Sequence, residues 1–275
     1  MTTRNFRFTY WILLSLSLVM LLGAILLAIR IGTDKRLPFF LADSRLYTEY
    51  FFLGAPVGIQ LAAALEICVF ALGVSAILTV VLFTFQKTVS GEVYLLVLWV
   101  FLADAETLRL LMLVIAQRST SIGALVSLTR VVYGARFTGL IALFISGLYA
   151  VGVGRERPQT GYLLALLFGA VLAILMPISI DRFQSSFMLQ AGYRDITMIV
   201  TASLVAINCV DYLVAARLKE DKSYAFAGIG LTAAAAAWIW LWDTRPLGRG
   251  MVGVLFFALC VFLAIKRLHR IYIWK

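Results

Sequence analysis

Eight apolar stretches, each near the length needed to cross a bilayer, recur along this chain between short polar breaks. Length is what constrains the fold, because about 20 helical residues span the hydrocarbon core of a membrane. In hydrocarbon the backbone must satisfy its own hydrogen bonds, so such stretches fold as helices. They run near residues 9–30, 57–85, 93–116, 124–152, 161–180, 196–217, 225–242 and 251–268. The breaks carry turn chemistry, as in Ser90-Gly91-Glu92 and Lys219–Ser223. The expected fold is all-α, a polytopic membrane bundle of about eight transmembrane helices, with residues 1–275 forming a single integral membrane domain.

Composition agrees with this reading. The chain is 63% hydrophobic and 14% charged, whereas soluble domains lie near about 45–50% and 25%. A soluble core of this size cannot hide so much apolar surface, so the lipid bilayer is the expected partner. The net charge of +10 is scattered through loops and ends. That distribution suits topology signals and anionic headgroups, and no nucleic-acid partner is expected. The basic run Lys266–Lys275 favours both termini on the cytoplasmic side, in a membrane expected to be the bacterial cytoplasmic one. The longer connections 32–56 and 181–195 suit short interfacial helices, and Trp238, Trp240 and Trp242 suit an interfacial belt.

Ionisable residues inside the apolar stretches are the only chemical signal. A charge at bilayer depth costs about 2.5–3.5 kcal/mol on insertion scales, so it faces a partner or a water-filled cavity. Glu66, Asp104, Glu106, Arg109, Arg136 and Asp211 are such residues. Successive spans run antiparallel, which sets Glu66 level with Arg109 and Glu106 level with Arg136. Glu106 and Arg109 are three apart and share a helix face. Asp104 lies about 140° from Arg109, so it points elsewhere. The third span therefore needs protein on both sides and is expected at the centre. The proposed chain of contacts is Glu66–Arg109–Glu106–Arg136, with the Tyr133 hydroxyl close by. Asn208 and Asp211 are expected to face Asp104. With four acids against two embedded arginines, a fully ionised site would be net negative and would favour a cation.

Catalytic chemistry is not expected. His269 is the only histidine and lies in the basic C-terminal run, which argues against a Ser-His pair, a zinc site or a haem ligated by two histidines. Cys68, Cys209 and Cys260 lie in apolar segments without a CxxC pair. No P-loop or dinucleotide glycine motif occurs, so neither a metal nor a cofactor is expected. Neither an internal repeat nor a discontinuous helix is apparent. The expected function is a small secondary carrier or permease for a small polar or ionic solute. The alternative is a receptor-like sensor or accessory subunit, for which a membrane protein partner or a homo-oligomer is possible.

Overall fold

A computed structural model describes residues 3–33, 50–52, 55–57, 59–85, 90–117, 122–153, 158–183, 187–242 and 247–273. The described chain is all-α apart from two short hairpins. In order it comprises α1 (Thr3–Thr33), β1 (Tyr50–Phe52), β2 (Ala55–Val57), α2 (Ile59–Thr84) and α3 (Gly91–Ala103). A 3-10 turn (Asp104–Thr107) leads to α4 (Leu108–Gln117), α5 (Ile122–Val151) and α6 (Pro158–Leu175). The chain continues through β3 (Ile178–Phe183), β4 (Leu189–Ala191), α7 (Arg194–Leu218), α8 (Lys222–Trp240) and α9 (Leu247–Ile273).

Among the described residues six helices are long and apolar enough to cross a membrane, by length and composition. They cover residues 7–33, 61–84, 122–151, 194–218, 222–240 and 250–271. The two other apolar stretches differ for local reasons. The fifth, α6, stops at Leu175, short of the expected end near 180, because Pro177 follows; proline restricts the residue before it to extended backbone.

The third stretch is helical throughout but not uniformly α-helical. It passes from α3 to α4 through one turn of 3-10 helix at its middle. Thr107 supplies a cause: its hydroxyl donates to the Asp104 carbonyl at 2.8 Å, competing with the regular ladder. Mid-helix 3-10 turns of this kind often mark functional hinges.

The expected interfacial helix at 181–195 is replaced by a hairpin. Ile178 pairs with Ala191 and Ser179 with Gln190, with a register shift before Phe183 and Leu189. The Gly192 amide closes it by donating to the Pro177 carbonyl at 2.8 Å. Extended backbone follows from Pro177 and the alternating Ile178-Ser179-Ile180. In the connection 32–56, Tyr50–Phe52 pairs antiparallel with Ala55–Val57. Residues 34–49 of that connection lie outside the described residues.

The α3 segment is the centre of the bundle, with every residue from Glu92 to Val100 buried. It packs on α5, α2 and α1, while α9 joins α2 to α8 and α7 joins α8 to α5. Small residues let these axes approach closely. A Cβ at Gly169 on α6 would lie 2.7 Å from the Thr138 backbone on α5. The aromatic core is built on Trp99, whose ring meets Trp238 at 6.1 Å and Phe257 at 5.8 Å. Trp238 is thus a core residue and not part of an interfacial belt; Trp240 alone of the three tryptophans is exposed. Outward apolar side chains such as Leu22, Phe168 and Ile199 leave a surface compatible with lipid.

Candidate functional site

Glu106 lies in the 3-10 turn and Arg136 at the middle of α5, and the fold brings them together. Arg136 donates through Nε to Glu106 Oε1 at 2.7 Å and through a terminal nitrogen to Oε2 at 2.7 Å. This is a bidentate contact, the geometry that suits a planar guanidinium best. One turn along, Arg109 donates to Glu106 Oε2 at 3.2 Å. The same Arg109 nitrogen donates to the Leu241 carbonyl at 3.0 Å. Leu241 caps α8, so this carbonyl belongs to the last turn of a helix, where backbone acceptors lack intrahelical partners and carry partial negative charge.

All three side chains are buried, at 3% exposure each. Glu66 lies close enough to act electrostatically on Arg109. Its carboxyl occupies the space that a Cβ on Gly250 would need, 2.3 Å from that position. Glycine at 250 is what lets the start of α9 pass over the carboxylate.

Aromatic rings cover the remaining faces of Arg136. Its guanidinium carbon lies 4.5 Å from the Trp242 ring centre and 5.2 Å from that of Tyr133. Tyr133 therefore contributes its ring face; the expected contact through the hydroxyl is not what the structure shows. Cation–π contacts of a desolvated guanidinium contribute about 2 kcal/mol. A cavity of about 290 Å³ lies beside this group, lined by Tyr133, Arg136, Arg194, Thr197, Trp240 and Trp242 among others. Its volume is at the lower end of small-molecule sites, about 300 Å³. Its described lining contains two arginines and no acid, so the expectation of a net negative site does not hold here.

Asp104 is placed elsewhere. It is fully buried and accepts a hydrogen bond from Ser17 of α1 at 2.7 Å. Ser17 Oγ also lies 2.8 Å from Ser75 Oγ of α2. Because the Ser17 proton is directed to Asp104, Ser75 is the donor in that pair. The expectation that Asn208 and Asp211 face Asp104 is thereby corrected. Those two side chains lie on α7 against Gly147 of α5, where a Cβ at 147 would meet Asn208 Oδ1 and Asp211 Oδ2 at 3.1 Å each. Depth arithmetic ranks partners by level in the membrane and says nothing about which helices are neighbours. Here α1 and α2 occupy the side of the 3-10 turn facing Asp104.

Several participants carried no usable sequence signal. Ser17 and Ser75 are ordinary small residues in apolar helices, and the Leu241 carbonyl has no side-chain signature. Trp242 was visible as an aromatic beside a turn, but its inward direction depends on where α8 ends. No protein-family model matches this sequence, and no curated protein matches it.

Proposed function

We propose that this chain is a small secondary carrier, an integral membrane protein of about eight spans forming one domain. In this reading both termini are cytoplasmic, the membrane is a bacterial cytoplasmic one, and the lipid bilayer is the principal partner. The observation that carries the reading is the cavity lined by Arg136, the arginine held by Glu106 at a 3-10 turn in the central helix. Carriers place their solute near the membrane midplane at discontinuous helices. Arg136 and Arg194 in the lining favour an anion, and the rings of Tyr133, Trp240 and Trp242 favour one with an apolar body. A small organic carboxylate combines both properties.

The chemistry asked of the site is binding and release. Because Arg136 is already bidentate to Glu106, an arriving carboxylate competes with an internal one, which keeps the solute exchangeable. The turn at Asp104–Thr107 supplies a place where α3 and α4 can change their relative angle. Proteoliposomes holding the pure chain test this with radiolabelled small carboxylates. Saturable uptake, reduced at least tenfold by Arg194→Gln, is the expected result. A folded protein that binds these anions without moving them contradicts it.

A receptor-like sensor or accessory subunit is the second reading. One observation favours it: Asp104 is fully buried, bonded to Ser17 and absent from the cavity lining, so the embedded polar groups do not form one pathway. Such a pocket suits a ligand detector, whose output would pass through helix contacts to a membrane partner or a second copy.

A further inference from the structure

The α5–α7 seam holds polar groups that the anion cavity does not use. Asn208 is completely buried, and neither its Oδ1 nor its Nδ2 has a hydrogen-bond partner among the described residues. Asp211, one turn further on, is half-buried, and its Oδ2 is enclosed with no partner among the described residues. Both Asn208 Oδ1 and Asp211 Oδ2 lie 3.1 Å from one point, the position a Cβ on Gly147 would take. The two oxygens therefore both face the bare backbone of α5 at Gly147. A buried amide and a buried carboxylate oxygen left unsatisfied are costly, and a cation held between them would relieve that cost.

The surroundings fix this geometry. In the adjacent positions the hydroxyls of Ser146 and Tyr212 pair at 3.0 Å, and Ser146 also donates to the Glu92 carbonyl at 3.1 Å. These bonds tie α5, α7 and α3 at the level of the site. Along α7, Thr197, Thr201, Asn208 and Asp211 fall within an arc of about 80°, at 100° per residue. Thr197 lines the cavity, and Thr201 is buried with no partner for its hydroxyl among the described residues. These four residues share one side of α7, with the apolar Leu204 between Thr201 and Asn208 packed against the core.

We propose that Asn208 and Asp211 form a monovalent-cation site beside Gly147, in the seam between α5 and α7. One carboxylate and one amide oxygen match a single positive charge; among the described residues no group of three acidic, histidine or cysteine side chains gathers to hold a multivalent metal. Sodium is the probe. The site deepens the carrier reading by supplying a coupling ion, but binding is measured without flux, so the two can fail separately.

The experiment is equilibrium binding of radioactive sodium to the full chain in lipid nanodiscs, where about one ion per chain is expected. Asp211→Asn weakens binding at least tenfold and Asn208→Ala several-fold. Asp195→Asn, which changes an exposed acid at the other end of α7, leaves it unchanged. Gly147→Ala puts a methyl group 3.1 Å from both oxygens and abolishes binding; sodium-dependent protection against thermal unfolding, lost in Asp211→Asn, gives a second readout independent of that packing change. Absence of sodium binding by folded protein, or equal binding by Asp211→Asn, overturns the proposal. Sodium binding without anion flux retains the site and removes the carrier.

Discussion

Replacing Glu106 by glutamine tests the arginine cluster most severely. Glu106 accepts two bonds from Arg136 at 2.7 Å and one from Arg109 at 3.2 Å. Glutamine keeps the shape but removes the charge and turns one acceptor into a donor, which then faces a guanidinium. Arg109 retains the Leu241 carbonyl and the nearby Glu66 charge, so the loss falls mainly on Arg136. Removing one partner of a buried ion pair costs about 3–5 kcal/mol, because the other charge stays in a poorly solvating site. For a chain of this size each kcal/mol moves the melting point by about 2–4 °C, giving a drop of about 6–20 °C. Intrinsic fluorescence in detergent is the assay, since Trp242 stacks on Arg136 at 4.5 Å and reports locally. The double variant Glu106→Leu with Arg136→Met removes both charges and is expected to melt closer to wild type than Glu106→Gln alone. A Glu106→Gln protein melting within about 2 °C of wild type, less than one kcal/mol, refutes the reasoning.

Three further outcomes are expected. Ser17→Ala leaves the Asp104 carboxyl without its donor in a fully buried position and costs about 1–3 kcal/mol, read as a lower melting temperature. Gly250→Ala drives a methyl group into the Glu66 carboxyl, 2.3 Å away, and lowers stability by about 1–3 kcal/mol; Glu66→Ala in the same background recovers part of it. Trp242→Ala uncovers Arg136 and widens the cavity, so carboxylate affinity measured by calorimetry falls at least fivefold while helical content stays constant.

The hydrophobic lengths made the helical segments readable, and position within antiparallel neighbours made the contact between Glu106 and Arg136 readable. Both rest on repeating geometry, a fixed rise per residue and alternating direction. Lateral placement is different. Asn208 and Asp211 are the conspicuous polar groups at a depth that suits Asp104, yet it bonds to Ser17, an unremarkable residue on α1. The 3-10 turn at Asp104–Thr107 has no sequence signal either, since threonine in an apolar helix more often leaves the α-helical ladder regular. Prolines mark edges well but not outcomes: Pro177 ends α6 and opens a hairpin where an interfacial helix was expected. Tryptophan position along the chain does not give direction, and Trp238 and Trp242 turn inward because α8 packs on α7 and α9.

Uptake by proteoliposomes under an imposed sodium gradient tests the central claim most directly. The account predicts saturable, sodium-stimulated entry of a small organic carboxylate, with Arg194→Gln reducing the anion's entry and Asp211→Asn removing the stimulation. Tight carboxylate binding accompanied by no entry under any gradient contradicts it and makes the pocket that of a detector.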